Sequence, residues 1–534
     1  MPLRFLISFV LGIAWLATGA VVRAELATQI SQYGITWTFD RPHQVGRFVT
    51  GDYWVVGPVT VAGVSPESGP SAEIAPADGD KSRYGATALV ADSHMRNGSM
   101  VVTGASNNGE KTTGFEQQGY DSRSPNYSAE LTLAFPYRLE TDRSLISTIS
   151  SETRNAEGKL ATPFVLGQNG MRLCSPTMPL SLRTAAVLTC LKSAPPADAF
   201  RPSYVGTSKP LYLKSQLRWD LLPALKPVES TPDWAKIERI FERPWLDHTY
   251  SWVNQYILPG ENQPNYGREF ARMNSLAALM VMLDVPREKK ETLLLRYVQL
   301  GIDLVGIAQM GKQWFSDGGH WQGRKWPILF ASLMLDAPEL RTFPHLDSAI
   351  PVYSRFKIAP RPDLPAPTTL FQEDLDTYYG QGGDGQTVLW QIVSHTGPKK
   401  PHEEKPMAEF DKADRFVEAY RMNNAASWIG VALAARWMKA RSVWNHDAFF
   451  DYMDRWMSPD EKWTPPQWLP KGCTRSVDLF VEDMWAAHRA TAPDQPRGKD
   501  NLKWVWLDGK TGTLVPNNPP VPAPAPVGLP QTQK

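Results

Sequence analysis

The sequence predicts a multidomain chain of α and β structure, in which an N-terminal antiparallel β-sandwich precedes an α/α toroid, an incomplete barrel of helical hairpins. Three observations lead to this prediction. The 534 residues exceed the size at which one hydrophobic core usually stops growing. Short alternating runs of apolar and polar residues fill the chain up to residue 228, and a helical period follows from residue 229. The helical part also repeats one of its own segments.

The first 24 residues have the pattern of an export signal. Arg4 gives a basic start, Phe5–Ala20 is an apolar run, and Val22–Ala24 provides a small-residue cleavage site. The apolar run is too short for a comfortable membrane span. We therefore expect a secreted or periplasmic protein whose mature chain, from residue 25, has no membrane span.

Residues 25–228 are assigned to the β-sandwich domain, because their short alternating runs are separated by Gly, Pro, Asn and Asp. A hairpin is expected where Gly51-Asp52 joins two such runs, although Asp-Gly is the favoured order for a tight turn. The predicted strands are Gly34–Phe39, Tyr53–Val64, Ala86–Ala91, Ser99–Val102, Ala129–Leu139, Ala185–Leu191 and Leu211–Trp219.

Residues 229–495 are assigned to the toroid. A helix is expected to start at Ser230–Asp233, with Thr231 as its cap. The segment Leu276–Pro286 resembles Ile328–Pro338, both ending in Leu-Asp-x-Pro, and Ile429–Met438 is a weaker third copy. Repeats of this length are typical of stacked helical units, which can close around an axis.

Residues 496–534 are expected to form an extended, Pro-rich and disordered tail, because such a composition cannot bury a core.

Charge and cysteine content narrow the possible partners. The chain has 56 Lys and Arg against 55 Asp and Glu, which argues against a nucleic-acid surface. No Cys or His spacing resembles a zinc site, so we expect neither metal nor cofactor. Cys174 and Cys190 could form a local disulfide or remain two buried thiols, and Cys473 has no obvious partner.

A glycine-rich turn within Trp314–Pro327 contains a histidine, an arginine, a lysine and three tryptophans, a mixture that suits an anionic, ring-shaped ligand. Three other polar and aromatic segments adjoin apolar helices, and a toroid would bring all four to one end of its cleft. These segments are Asn265–Arg268, Glu373–Gly380 and Tyr420–Trp428.

The residues in these segments suit elimination in a polymer of uronic acids. The proton beside a sugar carboxylate is weakly acidic, so the carboxylate must be neutralised before a base removes that proton. The candidates for catalysis are His320, Tyr379, Tyr378, Arg324, Arg421 and Asn265. The candidates for substrate binding are Trp314, Trp321, Gln322, Arg268, Tyr266, Asn424, Asp374 and Trp390.

Structural roles are the alternative for several of these residues. Arg268 could pair with Glu269 or Asp247, and Tyr378 and Tyr379 could be buried with bonded hydroxyls.

The helical part resembles the α/α-toroid polysaccharide lyases that cleave uronic-acid polymers, such as alginate and glucuronan lyases, and is most similar to the family numbered thirty-eight. The resemblance covers residues 230–490 and is carried by Gly319–Ile328, Tyr420–Ala435 and Trp444–Tyr452. It implies β-elimination of an anionic polysaccharide by a His or Tyr base and a Tyr acid.

That resemblance implies that His320 and Tyr379 transfer protons, while Arg324, Arg421 and Asn265 neutralise the carboxylate. Many such lyases have an Asn-His pair in one segment, whereas Asn265 and His320 lie far apart here. The base assignment is therefore open, and Tyr378 could replace Tyr379.

Two other functions are compatible with the sequence. A glycoside hydrolase on the same scaffold would use two carboxylates, with an acid from Glu373, Asp374 or Asp376 and a base from Asp317 or Glu269. A non-catalytic glycan-binding surface protein would use the tryptophans as stacking platforms.

Overall fold

The structure is a computed structural model of a mixed α/β chain, with strands at the N-terminus and helices later. It describes residues 25–70, 95–103, 117–124, 127–152, 154, 158, 181–249, 257–264, 266–345, 348–352, 356–360, 362, 369–379, 388–392, 402–404, 406–461, 463, 469–493 and 504–513. The expected export signal, the strand expected at Ala86–Ala91, Cys174, Asn265 and most of the Pro-rich tail lie outside the described residues.

The N-terminal part is a curled sheet of eight strands. In chain order, the strands up to residue 191 are β1 (Glu25–Gln32), β2 (Ile35–Arg47), β3 (Tyr53–Val56), β4 (Val59–Ser65), β5 (Gly69–Pro70), β6 (Met95–Arg96), β7 (Ser99–Val101), β8 (Tyr137–Leu139), β9 (Arg143–Ser150) and β10 (Leu182–Leu191). The sheet has the order β7-β9-β10-β3-β2-β4-β8, with β1 paired to β2, while β5 and β6 form a separate ribbon. Its neighbours are antiparallel except β10 and β3, which are parallel.

The hairpin predicted at Gly51-Asp52 is confirmed. It joins β2 to β3 with Arg47 opposite Tyr53. Gly51 has a φ of 92°, which side chains other than glycine rarely tolerate. The N–H of Phe48 donates to the carbonyl of Asp52 at 2.9 Å and closes the turn.

Three strand predictions are wrong in whole or in part. Tyr53–Val64 is not one strand but two, β3 and β4, which lie on opposite sides of β2. In Ala129–Leu139 only the last three residues form β8, and Ala129–Leu131 is a 3-10 turn. Leu211–Trp219 contains the 3-10 turn Lys214–Gln216 and no strand beyond a single bridge at Leu213. Tyr212 and Leu217 are buried in the core shared with the helices, and Trp219 packs against it. The N–H of Arg218 donates to the carbonyl of Met334 in the helical part.

The sheet is buried on both faces around β9 and β10. Leu145 and Leu188 pack with Trp37 on one face, whereas Ile146 and Val187 belong to a core shared with the helices. Strands covered on both sides lose the alternation of a half-exposed strand. The apolar core therefore continues from the sheet into the helical part.

The helical part begins soon after residue 230. Its helices are α1 (Trp234–Ile240), α2 (Gly267–Met280), α3 (Arg287–Gln309), α4 (Lys325–Met334), α5 (Gln372–Asp376), α6 (Lys412–Trp437), α7 (Arg441–Trp444), α8 (Asp447–Trp456) and α9 (Leu479–His488). Short 3-10 turns occur at Trp219–Leu221, Pro338–Arg341, His402–Glu404 and Met407–Glu409. Helix α2 packs on α6, and α3 packs on α4.

The two clearest copies of the repeat both contain a helix end but differ in detail. Helix α2 ends at Met280, three residues before Leu283, whereas α4 ends at Met334, directly before Leu335. Each covers the end of a helix, α2 or α4, and the turn that follows it. The cap of α1 is Asp233, whose carboxylate accepts the N–H of Lys236, and not Thr231 as expected. Thr231 instead donates its hydroxyl to the carbonyl of Val228.

The rest of the described chain contains two small sheets, and one of them includes Trp504–Asp508, so this part of the tail expected to be disordered at residues 496–534 is a strand. One is built from β11 (Ile350–Val352), β12 (Phe356–Pro360) and β15 (Trp504–Asp508), and the other from β13 (Thr377–Tyr379) and β14 (Val388–Trp390). Because β13 directly follows α5, the acidic residues of α5 and the two tyrosines of β13 lie in one short stretch.

Two further expectations concern cysteines and membranes. Cys190 is a buried free thiol whose Sγ lies 3.6 Å from the carbonyl oxygen of Leu139. Within the described ranges, no helix combines the length and apolar content needed to cross a bilayer.

Candidate functional site

Three glycines allow the start of α2 and the His320 turn to pack backbone against backbone. A Cβ added to Gly267 would overlap the carbonyl oxygen of Gly319, and one added to Gly319 would overlap the hydroxyl of Tyr266. Gly323, at a φ of 89°, lies against the backbone of Ala271. Glycine permits both the close approach and the positive φ, so these segments hold each other in a fixed arrangement.

This packing brings the rings of Tyr266 and His320 together. Their centroids are 5.0 Å apart with an interplanar angle of 86°, an edge-to-face arrangement that aromatic rings prefer. Tyr266 is buried, whereas His320 is partly exposed. The pair therefore lies at the edge of the core, where a ligand could reach the imidazole.

Helix α6 supplies the third side of this site. The Nδ2 group of Asn423 donates to the Tyr266 hydroxyl at 2.9 Å, and the Oδ1 of Asn423 accepts from Nη1 of Arg268 at 3.1 Å. Because the hydroxyl oxygen of Tyr266 already accepts a bond, its proton is available to another acceptor. We call Tyr266, Arg268, His320, Tyr420 and Asn423 the His320 cluster.

The phenols of this cluster are held in their protonated form. Burial raises the pKa of Tyr266, and the nearby Tyr420 and Asp317 add to the effect against the opposing charge of Arg268. Burial also raises the pKa of Tyr420, again with a contribution from Asp317. Both tyrosines are therefore proton donors at neutral pH.

Arg324 lies under the same turn and is engaged with the interior. Its guanidinium binds the buried carboxylate of Asp247 through two contacts, Nε to Oδ2 at 3.1 Å and Nη2 to Oδ1 at 3.0 Å. Burial opposes the ionisation of Asp247, but Arg324 and Lys312 hold its pKa below the ordinary value. Nη1 of Arg324 also donates to the carbonyl of His320 at 2.9 Å. In this arrangement Arg324 supports the backbone of the His320 turn.

Arg421 is likewise surrounded by carboxylates of the chain. Its Nε and Nη2 donate to Glu418 at 2.8 and 3.0 Å, and Nη1 contacts Glu461 at 2.8 Å and Glu403 at 2.9 Å. The hydroxyl of Tyr452 accepts from the same Nη1 at 3.1 Å. This network ties α6 to α8 and occupies the guanidinium that was expected to face substrate.

The tryptophans expected to stack on sugars are buried. Trp314 is parallel to Phe371 at a centroid distance of 5.6 Å. Trp321 is covered by the ammonium of Lys312, 4.8 Å from the ring centroid. Trp390 is also fully buried. All three contribute to the core in this structure.

A buried polar network surrounds Asp376 beside the His320 turn. Its Oδ2 accepts from Gln372 at 2.9 Å and from Asn424 at 3.2 Å, and its Oδ1 accepts from the hydroxyl of Ser316. Gln322 continues the network by donating to Asn424 at 2.8 Å. Burial raises the pKa of Asp376 well above its ordinary value despite these bonds.

Glu373 is the second buried carboxyl of this segment. Its Oε1 accepts the N–H of Gly323 at 2.5 Å, and its Oε2 has no hydrogen-bond partner among the described residues. Burial raises its pKa to about 7. The neighbouring Asp374 behaves differently, since it binds Lys325 at 2.5 Å and the indole N–H of Trp444 at 3.0 Å.

The remaining expected site residues are distributed around α5 and β13. The hydroxyl of Tyr379 donates to Asp451 at 2.5 Å, and Tyr378 is buried. Asn265 lies outside the described residues. Within the described part of the chain, no group of three or more His, Cys, Asp or Glu side chains is arranged to hold a metal ion.

Sequence reasoning did not single out Asn423 or Tyr420, although both lie in the Tyr420–Trp428 segment. Their spacing of three residues, which places them on one helical face, is the signal that could have identified them.

Comparison of the chain with protein-family models, with curated proteins and with solved structures finds no match.

Proposed function

We propose that this protein is a secreted or periplasmic polysaccharide lyase that cleaves a uronic-acid-containing polysaccharide by β-elimination at the His320 cluster. One observation carries the proposal. A partly exposed imidazole lies against a buried, protonated phenol whose oxygen is fixed by Asn423. A base and an acid in adjacent positions are the groups that elimination requires.

The chemistry divides between these groups. The neutral imidazole of His320 takes the proton beside the sugar carboxylate, and the electron pair forms the new carbon-carbon double bond. As the bond to the glycosidic oxygen breaks, Tyr266 or Tyr420 donates a proton to that oxygen. Arg268 is paired with Glu269, as its alternative role predicted, through Nε at 2.8 Å and Nη2 at 2.7 Å. In the proposal, its remaining N–H groups and the amide of Asn423 offset the charge that develops on the carboxylate.

The catalytic residues proposed here differ from those predicted from the sequence. The hydroxyl of Tyr379 binds Asp451, and the guanidinium of Arg324 binds Asp247. Their catalytic roles, and that of Arg421, stay predictions. We include in the proposal that the helices form an α/α toroid and that the N-terminal sheet belongs to a β-sandwich walling its cleft.

The test is incubation with a panel of uronic-acid polymers while the ultraviolet absorbance of the unsaturated sugar is recorded. We expect the wild-type protein to produce this absorbance with at least one polymer. His320→Ala should abolish it while the melting temperature stays nearly unchanged, since the side chain is partly exposed. Either Tyr266→Phe or Tyr420→Phe should lower the rate by about a hundredfold or more, the usual range for removing a general acid, and the variant that does so identifies the acid. An active His320→Ala variant would refute the mechanism.

Hydrolysis is the second candidate, and the state of Glu373 favours it. A carboxyl with a pKa of about 7 keeps a large protonated fraction at neutral pH, as a general acid requires. The same incubation separates the two reactions, because new reducing ends without ultraviolet absorbance would indicate hydrolysis. Binding without cleavage would indicate a glycan-binding protein.

A further inference from the structure

The first turns of α6 carry a row of side chains that leads from solvent to the His320 cluster. Lys412, Phe416 and Tyr420 are spaced four residues apart, and Asn423 follows three residues later. Residues at this spacing lie on one face of a helix. Lys412 is exposed, Phe416 is 51% exposed, Tyr420 is partly buried and Asn423 is buried. The row therefore descends into the site.

The rings of Phe416 and Tyr420 are in edge-to-face contact. Their centroids are 5.1 Å apart and their planes meet at 79°. Four residues of an α-helix advance by about 6 Å, which is comparable to the length of one sugar unit in an extended polysaccharide. A chain with one unit beside Tyr420 would thus place its next unit over Phe416.

Lys412 is exposed at the start of α6, beside two acidic side chains. The two nearby carboxylates, Asp411 and Asp414, each accept the backbone N–H of the other in a capping box, at 2.8 and 3.1 Å. These bonds fix the two carboxylates at the helix start, where they keep their charge, so the attraction of Lys412 for an anion is reduced by its two acidic neighbours.

We propose that Lys412 and Phe416 form an outer subsite for an anionic sugar unit adjacent to the one bound at the His320 cluster. The proposal rests on the proposed function, because it takes a uronic-acid polymer as the ligand. The apolar face of the sugar ring packs on Phe416. The ammonium of Lys412 attracts the carboxylate of the same unit, in an interaction that salt weakens.

The experiment measures binding in the His320→Ala background, so that the ligand is not consumed. Alginate and glucuronan are titrated by calorimetry into this protein and into the same protein carrying Phe416→Ala, Lys412→Ala or Leu479→Ala. Leu479 is the matched control, because it is also an exposed apolar side chain but lies on α9. We expect about tenfold weaker binding for Phe416→Ala, and a smaller loss for Lys412→Ala that disappears in high salt. Leu479→Ala should bind normally.

Equal affinity of Phe416→Ala and its parent would overturn the subsite, as would the absence of any polymer binding by the parent. Weaker binding of Phe416→Ala without unsaturated products from the wild-type protein would uphold the subsite and refute β-elimination. The failure of the subsite is therefore distinguishable from the failure of the proposed function.

Discussion

The substitution Glu373→Gln should change how the stability of this protein depends on pH. Burial raises the pKa of Glu373 from 4.5 to about 7 in the folded state. Between these values the folded state binds more protons than the unfolded state, so the stability contributed by this group falls as pH rises and is constant above about 7. Each pH unit corresponds to about 1.4 kcal/mol, which makes the total cost of ionisation about 3 kcal/mol.

Glutamine resembles the protonated carboxyl and has no charge to lose, so the variant should escape this cost. The free energy of unfolding of Glu373→Gln, relative to wild type, should rise by about 2 kcal/mol between about pH 5 and about pH 8. A constant penalty for burying the amide cancels in this difference. Urea denaturation at both pH values measures it, with Glu409→Gln, at an exposed position, as the control. Parallel pH profiles for Glu373→Gln and wild type would show that Glu373 ionises normally, against the reasoning.

Two further substitutions test the packing that supports the His320 cluster. Gly319→Ala should lower activity at least tenfold, because its Cβ overlaps the hydroxyl of Tyr266, whereas Gly63→Ala has open space and should be active; equal rates for the two would argue against the interlocked arrangement. Asp247→Ala should lower the free energy of unfolding by about 3 to 5 kcal/mol, since it leaves the charge of Arg324 buried without its partner. Urea denaturation measures the effect of Asp247→Ala. A loss below about 1 kcal/mol in the free energy of unfolding would mean that the pair of Arg324 and Asp247 is hydrated.

The sequence predicted those structural elements whose sequence pattern depends on residues close together in the chain. The turn at Gly51-Asp52 follows from residues next to each other, and both Leu-Asp-x-Pro segments follow a helix end, at a distance that differs by two residues. The prediction of a strand at Leu211–Trp219 failed because Tyr212 and Leu217 are buried in the core shared with the helices, and Trp219 packs against it, without a partner strand. Alternation alone does not distinguish these two kinds of burial.

The sequence identified the segments that form the site, but it did not show which of their side chains contact each other. His320 and Tyr266 come from segments that the sequence singled out, but their ring contact depends on packing between residues distant in the chain. The same is true of the pair between Arg324 and Asp247. Composition also could not show that Trp314 is buried, since an indole ring suits a core as well as a sugar surface.

The glycines between α2 and the His320 turn limit how this chain can vary. Neither segment can accept a side chain at Gly267, Gly319 or Gly323 without displacing the other, so the two must change together or remain as they are. Other proteins with the same site should therefore contain Tyr-Gly-Arg followed later by Gly-His-x-x-Gly-Arg. This paired fingerprint would detect distant relatives whose remaining sequence has diverged, and it gives a search criterion based on backbone proximity.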